Sequence, residues 1–78
     1  MTVIGKIKHL SGEGYGFVTP NEGQDVQEDV FFHQRSLVRG LHFGQLSKGD
    51  TLSMECTKGN KGWRADNTQR VAKVGSEN

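Results

Sequence analysis

The sequence predicts an all-β protein, a small closed barrel of five antiparallel strands, and three observations point that way. Short stretches of alternating, β-branched or aromatic residues recur along the chain, and no segment carries apolar residues at a sustained helical period. Eleven glycines accompany a single proline, a composition suited to many sharp turns. At 78 residues there is room for one domain only.

Each element follows from its residues. In residues 3–10 Ile alternates with Lys, as on a half-exposed first strand. Ser11 to Gly14 reads as a turn, and residues 15–19 as a second strand closed by Pro20, so the two form a hairpin. Residues 21–29 are a polar, acidic loop, and Val30-Phe31-Phe32-His33 is the third strand. Residues 35–49 contain Gly40, Gly44 and Gly49 and too weak a period for a helix, so a long loop with one helical turn is expected. Residues 51–57 are the fourth strand, 58–62 a glycine-flanked turn, and 63–74 the fifth strand with a frayed end. The domain is expected over residues 1–74, with 75–78 a short flexible tail. Val3, Ile7, Val18, Val30, Phe32, Leu46, Leu52, Met54 and Val71 suffice for a core. Five short strands leave unpaired edges unless the sheet closes, and the OB-type barrel is the usual closed solution.

Composition excludes several functions. No apolar run approaches the roughly 18 residues of a membrane span, and the N-terminus lacks the charged and apolar regions of a secretory signal. A cytoplasmic protein with no membrane partner is expected. The single cysteine, Cys56, cannot close an internal disulfide, which suits a reducing compartment. His9, His33, His42 and Cys56 show no metal-ligand or nucleophile-base spacing, and Glu28 and Asp29, being adjacent, point to opposite faces of a strand. No catalysis, metal or cofactor is expected.

Charge is unevenly distributed although the net value is only +1. Residues 10–33 contain no Lys or Arg, but do contain Glu13, Glu22, Asp25, Glu28 and Asp29. A path for phosphates must therefore come from the ends, from Lys6 and Lys8 and then from cations such as Arg35, Lys58, Lys61 and Arg64. Taken singly, each is explained equally well by ordinary solvation.

The aromatic residues are less easily explained. Of four Phe, one Tyr and one Trp, Tyr15, Phe17, Phe31 and Phe32 fall in two short strands. Tyr15 shares a face with Phe17 and Phe31 with His33, leaving Val18, Val30 and Phe32 on the opposite side. Each strand thus has two apolar faces, and only one can line the barrel. A lone strand aromatic is usually core, but this clustering favours an exposed platform, with Gly14 and Gly16 expected to leave the rings unshielded. A duplex buries the faces of its bases, so such a platform selects single strands, with no more than a modest lean to pyrimidines.

The segment Gly14-Tyr15-Gly16-Phe17-Val18 resembles the first RNA-binding motif of cold-shock domains, and Asp29-Val30-Phe31-Phe32-His33-Gln34 resembles the second. The same motifs occur in the RRM fold in reverse order and with two helices, which this chain lacks. Further matches are Gly5-Lys6-Ile7-Lys8, Phe43 with Leu46 and Gly49, and Gly59-Asn60-Lys61-Gly62 followed by Ala65 and Asn67. The resemblance implies a five-stranded antiparallel barrel that binds short single-stranded RNA or DNA and loosens RNA structure, as an RNA chaperone or a regulator of gene expression. It carries over Lys8, Tyr15, Phe17, Phe31, His33 and Phe43 as binding residues. Lys6, Lys61 and Arg64 join them as cations, and a monomer is expected.

The chain also departs from that pattern. His9 and Leu10 stand where the family usually has Trp and Phe; strict alternation puts His9 beside Ile7, and only the resemblance puts it on the binding face. Glu13 replaces a lysine in a turn one residue short, which removes a phosphate contact. Gln34 resembles the Y-box variant, with an amide able to hydrogen-bond a base. Trp63 has no usual counterpart; with Arg64 it is either an added platform or a cover over one barrel end. A rival function remains: such barrels also dock on proteins or oligosaccharides.

Overall fold

The computed structural model describes residues 1–71, so the expected tail at 75–78 and the end of the expected domain lie outside the described residues. Five strands, β1 (Thr2–Leu10), β2 (Tyr15–Pro20), β3 (Val30–His33), β4 (Thr51–Gly59) and β5 (Gly62–Arg70), close into a barrel in the order β1-β2-β3-β5-β4. Alternation does the sorting: in β1 Val3, Gly5 and Ile7 turn inward while Thr2, Ile4, Lys6 and Lys8 face out.

The barrel is not antiparallel throughout. Strand directions cannot alternate around a ring with an odd number of members, so one neighbouring pair must run parallel. That pair is β3 and β5, joined through Val30 opposite Trp63 and Phe31 opposite Arg64. This seam is short, and the chain beyond β3 extends it: Leu37 bridges to Thr68, and the Val38 N–H donates to the Thr68 carbonyl at 2.9 Å. Thr68 is wholly buried, and its hydroxyl lies 3.2 Å from that of Ser36, so no polar group is stranded there. Opposite Met54, β5 bulges, and Asn67 adopts φ 44°, a left-handed conformation that Asn tolerates better than most side chains.

The core contains eight of the nine expected residues, together with Val26, Cys56 and Ala65. Val71 is the exception: it follows the end of β5 and is half-buried. Val26 comes from the acidic loop, which is tied down by Gln24. The amide of Gln24 accepts from the Ile4 N–H at 2.7 Å and donates to the Ile4 carbonyl, copying a strand partner at the edge of β1. The long segment after β3 makes two 3₁₀ turns, Gln34–Ser36 and Phe43–Gln45, and inserts Leu46 into the barrel. Its far end is pinned by the Gly49 N–H on the Ile7 carbonyl at 2.9 Å.

Candidate nucleic-acid interface

The outward faces of β1, β2, β3 and β5 carry a continuous row. Its first member depends on a bulge at Lys8: Ile7 pairs with Val18, but His9, two residues on, pairs with Phe17. The extra residue shifts alternation by one, so His9 leaves the side of Ile7 and points outward beside Phe17. The expectation from strict alternation is thereby corrected. From His9 the register runs through Phe17 and Phe31 to Arg64, and one step along the strands Tyr15 faces His33.

The rings of Tyr15, Phe17 and Phe31 form a triangle. Centroids are 5.7 Å apart for Tyr15–Phe31 and Phe17–Phe31 and 6.3 Å for Tyr15–Phe17, in tilted or edge-on contacts. All three are half-buried, while Val18, Val30 and Phe32 on the inner faces are fully buried. The barrel fills its core without them.

The glycines act differently from the sequence expectation. Gly16 is buried and faces inward, where a Cβ would lie 2.5 Å from the His9 carbonyl oxygen and 2.8 Å from the Phe32 ring. It permits two strands to approach; it does not unshield the rings. Gly14 has φ 91° and lies under the Gln34 amide, whose Nε2 would be 2.6 Å from an added Cβ. The Gln34 N–H donates to the Gly14 carbonyl at 2.8 Å, so Gln34 lies over the β1–β2 turn beside Tyr15.

His33 caps the first 3₁₀ turn, its Nδ1 accepting from the Arg35 N–H at 3.1 Å. The imidazole therefore presents Nε2–H as its remaining donor. Two grooves meet at Phe31 and Arg64. One is lined by Phe17, Phe31, Asn60, Lys61, Trp63 and Arg64, the other by Phe31, His33, Arg35, Ser36, Arg64 and Asp66. Among the described residues, Lys6, Arg35, Lys61 and Arg64 make no ion pair.

Three expected residues are placed less simply. Lys8 is held by Asp29 at 2.8 Å, and the Thr19 hydroxyl donates to the same carboxylate at 3.2 Å. Phe43 stands apart from the triangle: its centroid is 6.1 Å from Phe32, and it packs against the core from the long loop. Trp63 packs against the core and also borders the ring-bearing face. As the register mate of buried Val30 it closes one barrel end, yet it also lines the first groove. Its Nε1 donates to Glu28 at 2.7 Å, and the Lys58 ammonium lies 5.7 Å from the ring centroid. In the sequence Arg35 is only one of several scattered cations and Glu28 gives no sign of a place at the site, whereas Asp29 opens the second motif.

No group of three or more His, Cys, Asp or Glu that could hold a metal occurs among the described residues. No helix there is long and apolar enough to cross a membrane.

A closed OB-type barrel with ring-bearing strands and free cations on one face defines a class, the small nucleic-acid-binding barrels. Within it, the 'Cold-shock' DNA-binding domain family model matches residues 3–71, and the chain belongs to that family. It is 39% identical over 59 residues to the major cold shock protein CspA of Pseudomonas aeruginosa, covering 76% of this chain and 78% of the relative. It is 35% identical over 72 residues to the cold shock-like protein CspE of Bacillus anthracis, covering 91% of this chain and all of the relative. Cold shock protein CspB of Geobacillus stearothermophilus is 34% identical over 68 residues, 86% of this chain and 96% of the relative. The protein is a nucleic-acid-binding cold-shock protein and not an enzyme.

Proposed function

We propose that the protein binds single-stranded RNA or DNA by stacking unpaired bases on Tyr15, Phe17 and Phe31, with His9 and His33 beside the row. The observation that carries this reading is the triangle of half-exposed rings on the outer face, which the core does not need. Such rings accept any base whose face is free and reject a duplex, whose base faces are covered. Lys6, Lys61 and Arg64 meet the phosphates at the flanks, and Lys8 joins them when it leaves Asp29. Gln34 supplies an amide next to Tyr15, and Phe43 borders the site from the loop.

Three stacked bases, at roughly 1–2 kcal/mol each, amount to about 3–6 kcal/mol, hence dissociation constants from millimolar to roughly tens of micromolar before phosphates are counted. Binding of that strength, sequence-tolerant and leaning to pyrimidines, suits a monomer that loosens RNA structure or regulates expression in the cytoplasm. The family membership and the bacterial cold-shock relatives support this role.

The test is an amide NMR titration with a short pyrimidine-rich strand, using a duplex of the same sequence as control. Shifts at Tyr15, Phe17, Phe31 and His33 with the single strand alone support the reading. Shifts confined to scattered lysines and abolished by salt, or none at all, would show that the face serves a protein or oligosaccharide instead.

A further inference from the structure

Resting on the stacking reading above, we propose that Trp63 provides an additional base-stacking subsite at the β4–β5 end of the groove, anchored by Glu28 and flanked by Lys58 and Lys61. The protein then grips one nucleotide more than the Tyr15–Phe17–Phe31 row alone would hold. Trp63 follows the turn between β4 and β5 and lines one groove together with Phe17 and Phe31, so a strand crossing those rings is led to the indole.

Two features distinguish this indole from a residue that merely covers the barrel. The first is its anchoring. The Nε1–H donates to Glu28 Oε1 at 2.7 Å, which fixes the ring plane from an acidic loop on the other side of the seam. A ring held in one orientation before a base arrives loses less entropy on binding than a free one. The second is charge. Lys58 lies 5.7 Å from the ring centroid, and Lys61 and Arg64 line the same groove, with no ion pair among the described residues. These cations complement the phosphates on either side of a base at Trp63, and that base displaces the Lys58 ammonium from the ring toward the backbone.

Trp63 is the only tryptophan, so its fluorescence reports on this subsite alone. The experiment titrates the protein with oligothymidylates of increasing length, reading indole quenching and, independently, the anisotropy of a label on the oligonucleotide. Saturating strands should quench the wild-type indole, and affinity should rise with length to a plateau. In Trp63→Ala the plateau should come about one nucleotide earlier, and its dissociation constant should be roughly 5- to 150-fold weaker, the usual range for losing one stacked base. Trp63→Phe, which keeps a ring within the barrel end, should retain the wild-type plateau length and guard against a folding artefact. Glu28→Ala should weaken binding of the longer strands only.

Tight wild-type binding with no quenching, or an unchanged plateau length in Trp63→Ala, would overturn the proposal while leaving the three-ring row intact. Loss of all single-strand binding by the wild type would instead overturn the underlying reading, and the extra subsite with it.

Discussion

Truncating Phe17 or Phe31 separates binding from folding, because these rings touch one another on the outside of a barrel already filled by Val18, Val30 and Phe32. Phe31→Ala is expected to weaken single-strand binding by about 1–3 kcal/mol. Its folding stability should fall by about 1–3 kcal/mol, the value of its two lost aromatic pairs. Parallel oligonucleotide and urea titrations check this; a loss in folding above that range would make the ring a core residue. Gly16→Ala should behave in the opposite way. Its Cβ meets the backbone oxygen of His9, which cannot rotate aside, so about 1–3 kcal/mol or more of stability is lost in urea unfolding. Cys56 is a third case. It is buried, and burial pushes its thiol above the usual range, with the neighbouring Glu55 carboxylate adding to the shift. Since the folded value is the raised one, the associated stability is complete at neutral pH. It is lost only as pH climbs past the thiol's unfolded value toward the folded one. Alkylation at pH 8 should therefore be slow in the native protein and fast in urea.

At the scale of elements, the link between β1 and the end of the acidic loop bears on function. Asp29 occupies Lys8 and the Thr19 hydroxyl, so it holds the loop against the barrel while withdrawing a cation from the strand's path. Asp29→Asn should cost about 0–1 kcal/mol of stability, the range of an exposed ion pair. It should also tighten binding at low salt and steepen the log-log salt slope by about 0.7, one further phosphate contact on a single strand. An unchanged slope would mean that Lys8 does not reach phosphate even when released. The bulge at Lys8 acts at the same scale. One inserted residue decides whether His9 faces the core side or the ring row, and in sequence an extra strand residue is indistinguishable from the regular ones beside it. The β5 bulge was foreshadowed only by Asn67, a residue type at ease with positive φ.

For the whole molecule, a binding face dominated by rings and only a few cations predicts a shallow salt dependence. Two or three phosphate contacts give a slope of about −1.4 to −2.1 for single strands, measurable by anisotropy across a salt series. A much steeper slope would mean that charge rather than stacking dominates. What the sequence determined by itself was whatever depends on neighbours along the chain: the five strands, the inward set from Val3 to Met54, and the outward pairing of Tyr15 with Phe17 and of Phe31 with His33. The period of two sorts such residues before any strand meets another. Tertiary structure alone decided what depends on partners distant in sequence. Closure of an odd ring made β3 and β5 parallel and set Arg64 beside Phe31. A glutamine clamp on Ile4 accompanies the burial of Val26, a lone valine in a polar loop. Glu28 took hold of Trp63 from 35 residues away. No local pattern encodes such meetings, because each exists only once the barrel has brought two separate stretches of chain to the same place.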